Sequence, residues 1–557
     1  MKLTGAQITI EMLKREGAPY IFGLPGGAIL PTFDALYDSG LNFILVRHEQ
    51  GAGHMADGYA RSTGKPAVCM VTSGPGALNL VTAIATANMD SVPMVCITGQ
   101  VATHLIGNDA FQEADVIGCT RPITKHSYLV KKVEDLPRII KEAFYIASTG
   151  RPGPVLVDLP VDVTRATTDF EYPTKLSIRG YNPPMAGEPK NIELAADLIM
   201  KSKKPLLYVG GGTIASGANK ELLELAEKTG IPVTTTLAGL GAFPETHAQS
   251  LRMLGMHGTV YANYSVQACD LLISVGARFD DRVTGKLDKF APNAKIIHID
   301  IDPASISKNV KVDCAIVGDV RTILKELNKL VKHLDLKAWN QQIADWREKH
   351  PMRFENNGSG IKSQHVIQEL GKATNSNAIV TTGVGQHQMW AAQWFNFIKP
   401  RTMITSGGLG TMGYGFPAAI GAQLAHPGET VFCIDGDGSF QMTSFELATA
   451  VHYKIPVKIA LLDNAYLGMV RQWQEMFYKE RYSGSELGSS NPDFVKLAES
   501  FGMKGILATK KEDVRPTIDK ALEHDGPVLM HFKVEKQDNV FPMVPAGQAL
   551  DQVIDMA

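Results

Sequence analysis

Short, wholly apolar runs alternate along this chain with glycine-rich turns and then with stretches of helical spacing. Ala67–Val71 precedes Thr72-Ser73-Gly74-Pro75-Gly76, and residues 93–97 precede Thr98-Gly99-Gln100. Pro205–Val209 runs into Gly210-Gly211-Gly212, and Leu271–Val275 runs into Gly276. A strand that is apolar on both faces must be covered on both, which predicts parallel sheets between layers of helices. Ligands of such sheets bind beyond the carboxyl ends of the strands, where these turns fall. Two irregular stretches interrupt the pattern. Residues 170–190 carry Pro173, Pro183, Pro184 and Pro189 and read as a linker, and residues 350–360 are polar and aperiodic. The predicted fold class is therefore α/β, with three doubly wound, mostly parallel-sheet domains at about 1–170, 190–345 and 360–535 and a C-terminal tail at 536–557.

Length and composition agree with that division. A chain of 557 residues exceeds what one core serves, and roughly 150 residues per domain gives three or four units. With 44% hydrophobic and 20% charged residues the chain is expected to fold rather than stay disordered. The net charge of −2, without basic or acidic blocks, gives no electrostatic footprint for nucleic acid or a membrane surface. The six cysteines are scattered and none has CxxC spacing, as expected of reduced, buried thiols in the cytoplasm. The first residues lack a signal-peptide or transit pattern, and no apolar stretch reaches bilayer length. A cytoplasmic protein with no membrane partner is expected.

The candidate chemistry begins at Gly436-Asp437-Gly438, which ends an apolar run, and at Asn464, which ends another 27 residues later. A carboxylate and a carboxamide at two neighbouring strand tips suit Mg²⁺, which takes hard oxygen ligands and shares them with phosphates. The turn after Asn464 offers a further ligand, the backbone carbonyl of Tyr466. Gly436 and Gly438 let the backbone approach a diphosphate, and Ser439 begins a segment able to donate N–H groups to it. Alone, Gly-Asp-Gly reads equally well as a tight turn with the aspartate capping a helix; its pairing with Asn464 favours the metal.

Together these residues resemble the cofactor motif of thiamine diphosphate enzymes. The resemblance extends over nearly the whole chain. The segments 47–61, 72–76, 276–285 (Gly-Ala-Arg-Phe-Asp-Asp-Arg-Val-Thr-Gly) and 407–417 (Gly-Gly-Leu-Gly-Thr-Met-Gly-Tyr-Gly-Phe-Pro) are similar to acetohydroxyacid synthase catalytic subunits. The resemblance implies that Glu49 hydrogen-bonds the aminopyrimidine ring and promotes its active tautomer. By themselves Arg47-His48-Glu49 read as a helix cap with a local ion pair. It further implies that Gly27 lies in a loop approaching cofactor and substrate, and that Phe111 and Gln112 face the active site; Gln112 alone reads as a surface helix residue. The Gly410 carbonyl and the Met412 side chain would hold the cofactor bent, which is catalysis by positioning. Val384, Gln386 and His387 would make a second contact with the diphosphate. Met469 and Trp473, four apart on one helix face, read as core by spacing. The resemblance instead puts Met469 at the cofactor and Trp473 against the acceptor substrate, favouring 2-ketobutyrate over a second pyruvate.

Gly210-Gly211-Gly212 after a strand is a weak dinucleotide signal. With Met256, His257, Gly276, Arg278, Asp280, Arg282, Val283, Asp300 and Asp319, it resembles the family's FAD site, to which Arg151 is also matched. Arg278 and Arg282 would pair with the pyrophosphate and Asp300 with a ribose. The main reaction needs no net redox step, so this flavin would be structural. One departure stands out: the family usually has lysine where this chain has Val161.

The implied reaction decarboxylates pyruvate and joins the two-carbon unit to a second 2-keto acid, giving acetolactate or acetohydroxybutyrate, the first common step of branched-chain amino-acid biosynthesis. Alternatives are a catabolic acetolactate synthase, a glyoxylate carboligase, disfavoured by Glu49, and an inactive cofactor-binding scaffold. Glu49 and Asp437 lie in different blocks yet must reach one cofactor. The family meets this need across a subunit interface, which implies a homodimer or homotetramer, with a small regulatory subunit as a further expected partner.

Overall fold

The computed structural model describes residues 1–356 and 358–555. It contains three six-stranded sheets in which every strand pairing is parallel. The first sheet holds β1 (Tyr20–Leu24), β2 (Asn42–Leu45), β3 (Ala67–Val71), β4 (Met94–Gln100), β5 (His126–Leu129) and β6 (Pro154–Pro160). The second holds β7 (Pro205–Val209), β8 (Val233–Thr235), β9 (Ser250–Met253), β10 (Leu271–Val275), β11 (Lys295–Asp300) and β12 (Cys314–Val317). The third holds β13 (Ile379–Thr382), β14 (Met403–Thr405), β15 (Val431–Gly436), β16 (Lys458–Asp463), β17 (Lys504–Ala508) and β18 (Val528–Lys533). The central strands β3, β4, β7, β10 and β15 are buried at every position. That is why they read as unbroken apolar runs rather than as alternating patterns.

The strand orders locate the sites. The first sheet runs β2-β1-β3-β4-β6-β5 and the third runs β14-β13-β15-β16-β18-β17, so the two share one topology. The middle sheet runs β9-β8-β7-β10-β11-β12, the doubly wound dinucleotide-binding order. In each, the order reverses beside the first strand, between β1 and β3, β7 and β10, and β13 and β15. A crevice opens at such a switch point beyond the carboxyl ends. The glycine-rich turns Thr72–Gly76, Gly210–Gly212 with Gly276, and Gly436–Gly438 follow strands at these three places.

The outer two blocks share a core. Phe22, Ala52, Met55 and Leu80 of the first pack in one apolar cluster with Tyr414, Phe416, Ile420 and Phe440 of the third. The contact centres on two helices, Glu49–Thr63 and Gly415–Ala425. The irregular stretch 170–190 is not loose: Tyr172 and Tyr181 pack on the first block, and the Tyr181 hydroxyl accepts from Lys125 Nζ at 2.8 Å. Beyond residue 535 the chain returns to the middle block, where Val544 and Leu550 are buried in its core. Five of the six cysteines are buried, and all are free thiols. Among the described residues, no helix is long and apolar enough to cross a membrane.

Candidate active site

One cleft lies over the carboxyl ends of β13, β15 and β16. Asp437 and Asn464 both line it, the first one residue past β15 and the second one past β16, and these strands are hydrogen-bonded neighbours. Gly436, Gly438, Ser439, Val384, Gln386, His387, Met412, Tyr466 and Met469 line the same cleft. The helix Asp437–Gln441 has Gly436 at its cap position and no side-chain cap, so Asp437 does not serve as a helix cap. Its Oδ2 instead accepts from Asn491 Nδ2 at 2.7 Å. Burial pushes the Asp437 carboxyl up to about 7 despite that hydrogen bond, and the neighbouring Asp463 adds repulsion. Burial also acts to raise Asp463, but the hydrogen bond and charge of His531, whose Nε2 lies 2.9 Å from Oδ2, hold it below the usual carboxylate range. A divalent cation would reverse the balance at Asp437 and favour its ionised form.

Asn464 is held for ligation by its own turn. Its Oδ1 accepts from Tyr466 N at 3.1 Å, Ala465 takes the left-handed φ of 63°, and its Nδ2 donates to Gln386 Oε1 at 3.3 Å. Gln386 in turn donates to Gln472 and to the Asp538 carbonyl, tying the cleft to the tail. A Cβ on Gly436 would fall 2.8 Å from His387 Nδ1, so only glycine allows the ring and this turn to sit together. Burial pushes His387 down to about 3, which leaves a neutral ring. Among the described residues no group of three or more His, Cys, Asp and Glu side chains is placed to hold a metal. The oxygen set here, one carboxylate, one carboxamide and a main-chain carbonyl, leaves remaining positions to phosphate and water, as Mg²⁺ prefers. The cleft thus fits a metal-bridged diphosphate.

A second constellation gathers at the switch point of the first sheet. Glu49 begins the helix Glu49–Thr63, whose cap is His48, with Nδ1 accepting from Gln50 N at 3.1 Å. Glu49 is buried, and its Oε2 accepts from Asn79 Nδ2 at 2.9 Å. A Cβ on Gly76 would lie 3.2 Å from Glu49 Oε1, and one on Gly74 would lie 2.6 Å from the Gln112 carbonyl. The turn after β3 therefore touches both residues. Gln112 is no helix residue: it sits in a turn with φ 57°. Phe111 is 88% exposed, and Gly27 opens the short helix Gly27–Ile29 after β1. None of these residues lines the Asp437 cleft.

Trp473 shares the helix Gly468–Phe477 with Met469, its ring 5.4 Å from that of Phe477. The segment 407–412 carries Gly410 in a left-handed conformation (φ 72°). Met412 reaches the cleft from it.

In the middle block Gly210 N donates to Val275 O and Gly212 N to Gly276 O, both at 3.0 Å, so the turns after β7 and β10 close on each other at the switch point. Gly211 lies between them. Arg278 pairs with Asp280 at 2.9 Å and Arg282 with Asp281 at 3.3 Å, and Val283 is buried behind them. Met256 N donates to the Arg282 carbonyl, and His257 is buried. Arg151 crosses from the first block to Asp302, whose N–H bonds Asp300 Oδ1. Asp319 caps the helix Val320–Leu330, accepting from Thr322 N at 2.9 Å and from Ser216 Oγ at 2.7 Å. Thr235 Oγ1, at the carboxyl end of β8, is buried without a partner. The glycine turns, the arginines and an unpartnered hydroxyl at this switch point are chemically suited to a dinucleotide's pyrophosphate. Val161 begins the helix Val161–Arg165 after β6 and is half-buried.

Several participants carried no sequence signal. Asn79, Asn491 and His531 reach the sites from turns and a strand remote in the chain. Only the Asn after the cleft strand and the glycine turns belonged to a local pattern.

Residues 3–119, 192–327 and 383–532 match, respectively, the N-terminal TPP binding domain, the central domain and the C-terminal TPP binding domain described for thiamine pyrophosphate enzymes. The chain is 52% identical to the acetolactate synthase of Mycobacterium leprae, over 99% of this chain and 90% of that one. It is 52% identical to the acetolactate synthase large subunit of Corynebacterium glutamicum, over 98% and 89%, and 48% identical to that of Haemophilus influenzae, over 99% and 98%. A thiamine diphosphate cofactor follows from the two matched binding domains, and the chain belongs to the acetolactate synthase large-subunit family of thiamine diphosphate enzymes.

Proposed function

We propose that the chain decarboxylates pyruvate and transfers the two-carbon unit to a second pyruvate or to 2-ketobutyrate, forming acetolactate or acetohydroxybutyrate for branched-chain amino-acid synthesis. The observation that carries this reading is the single cleft lined by Asp437, Asn464 and Met412 at a topological switch point. Thiamine diphosphate supplies, when bound, the electron sink that the loss of CO2 requires. The protein's part is binding, orientation and proton handling. Asp437, Asn464 and the Tyr466 carbonyl would hold Mg²⁺ and the diphosphate, with N–H groups from 436–439 and the side chains of Gln386 and His387 lining the same cleft. Gly410 and Met412 orient the pyrimidine. Glu49, buried and held by Asn79, would hydrogen-bond the ring nitrogen of the cofactor and supply the carboxyl group for proton exchange with it. Trp473 faces the acceptor.

Glu49 does not line the cleft of its own chain, which supports a homodimer or homotetramer in which Glu49 of a second copy completes the site. The naming of relatives as large subunits supports association with a small regulatory chain. The middle crevice, with Arg151, Arg278, Arg282 and Asp300, is assigned to a structural FAD. Flavin released by denaturation, at about one per chain, tests that assignment.

The purified chain with thiamine diphosphate, Mg²⁺ and pyruvate should yield acetolactate; no product from cofactor-loaded protein would refute the proposal. Glu49→Gln should lower turnover by about 100-fold or more, since positioned proton transfer contributes ~10²–10⁴. It should leave Mg²⁺ and diphosphate binding within a few-fold. A scaffold without activity would have no turnover to lose.

A further inference from the structure

The segment 407–412 holds glycine at positions 407, 408 and 410, and Gly413 follows it. Gly410 and Gly413 have φ of 72° and 81°. A stretch so rich in glycine is costly to order and has little side-chain packing of its own. Within its own block Thr411 N donates to Ser406 Oγ at 2.9 Å and Gly413 N to Ser439 Oγ at 3.0 Å, and its charged anchor comes from the first block. Asp90 follows the helix Val81–Met89, and its Oδ2 accepts from Gly407 N at 2.9 Å while its Oδ1 accepts from Gly408 N at 2.7 Å. The same Oδ2 accepts from Arg61 Nη2 at 2.8 Å. The Asp90 and Arg61 side chains are only 6% and 15% exposed, so both charges depend on this pairing. Arg61 extends the grip: its Nε donates to Asp57 Oδ1 at 2.6 Å, and the Tyr414 hydroxyl donates to that same oxygen. Thr86 and Thr411 join through their hydroxyls at 2.7 Å. A Cβ on Gly408 would fall 2.7 Å from Asp90 Oδ1 and 3.0 Å from Arg278 Nη2, so all three blocks meet at this residue.

We propose that Asp90, charge-paired with Arg61, is a positioning residue that fixes the 407–412 segment so that Gly410 and Met412 hold the thiamine diphosphate pyrimidine in its reactive bend. This rests on the reading that Gly410 and Met412 contact the cofactor. The carboxylate is required for its acceptors, not its size. An asparagine here would present one oxygen and one NH₂, and the NH₂ would face the Gly408 N–H on one side or the Gly407 and Arg61 donors on the other. The diphosphate end of the cofactor is gripped elsewhere, by the Asp437 cleft. Loss of the clamp therefore loosens orientation while sparing affinity, and small misplacements of reacting groups are costly.

The test follows the hydrogen on C2 of bound thiamine diphosphate by exchange into D2O, with quenched NMR detection. Asp90→Asn should slow that exchange at least about tenfold and raise the cofactor dissociation constant no more than ~threefold. In cofactor-free protein, amide exchange over 406–413 should become faster. Met412→Ala separates the proposal from its premise. If Met412→Ala slows C2 exchange and Asp90→Asn leaves it within twofold, the clamp is refuted and the cofactor contact survives. If neither variant slows it, the contact reading fails and the proposal with it. Should Asp90→Asn not fold, Thr86→Val removes one anchor and should slow exchange about threefold; an unchanged rate overturns the proposal.

Discussion

Asp437 and Glu49 are both buried carboxylates, yet their partners prepare them for different work. Asp437 sits beside a second acid, Asp463, and an amide donor, Asn491, a setting that a cation would stabilise. Glu49 has Asn79 beside it and a glycine turn that opens space in front of its carboxyl. The signal for Asp437 and Asn464 was legible because each ends a strand, and strand ends are marked by the change from apolar run to turn. Asn491 and His531 had no such mark, since their contacts form only when a loop 54 residues from Asp437 and a strand 68 residues from Asp463 come to lie at the strand tips. Taken alone Gln112 reads as a helix residue, but it sits with φ 57° in a turn that Glu113 closes: Glu113 N donates to the Ala110 carbonyl and Glu113 Oε2 accepts from Ala110 N. At this scale Trp473 carries a specificity prediction. 2-Ketobutyrate exceeds pyruvate by one methylene, worth about 1–3 kcal/mol against a well-packed apolar wall. Trp473→Leu should lower the ratio of acetohydroxybutyrate to acetolactate by about tenfold. Competition between the two acceptors, with both products quantified, measures it.

Elements were easier to read than their arrangement. Unbroken apolar runs flagged the buried strands, and the glycine turns flagged their ends. Strand order was not legible, because β1 and β3 or β13 and β15 become neighbours only through crossovers whose direction leaves no local pattern. Nor was the packing of Glu49–Thr63 on Gly415–Ala425, where a Cβ on Gly421 would lie 1.9 Å from the Met55 carbonyl. That helix pair sets the position of Glu49, and its entry is pinned by Glu446. Glu446 Oε1 accepts from Arg47 N at 3.1 Å and His48 N at 3.2 Å, and Oε2 accepts from Thr449 Oγ1. Burial pushes this carboxyl up to about 7 in spite of those donors. The folded value exceeds the unfolded one of about 4.3, so the group's contribution to stability is full below that pH and is lost as pH rises through about 7. Glu446→Gln keeps an acceptor for the two amides and a donor for Thr449 but cannot ionise. Relative to the parent, the variant should gain about 2.5 kcal/mol between about pH 5 and pH 8. Denaturant midpoints at the two pH values check the sign, which reverses if burial does not favour the protonated form.

At the scale of the whole molecule, the proposed site draws on two switch points, and Glu49 at one of them does not line the cleft at the other. The cleft at β13 and β15 carries the residues proposed for the metal and diphosphate, and the turn at β1 and β3 carries Glu49, with no residue of the second lining the first. The shared core fixes the two outer blocks relative to each other, because the Glu49–Thr63 helix is packed against Gly415–Ala425 in the same chain. Completion from a second copy related by two-fold symmetry satisfies both halves at once. Complementation decides the matter. Neither Glu49→Gln nor Asp437→Asn protein should show appreciable turnover alone. After unfolding and refolding an equimolar mixture, about half the dimers should be mixed, and each mixed dimer has one site with Glu49 from one chain and Asp437 from the other intact. About a quarter of the parent activity should return. If both residues of a site came from the same chain, every site in the mixture would carry one defect and no activity would return.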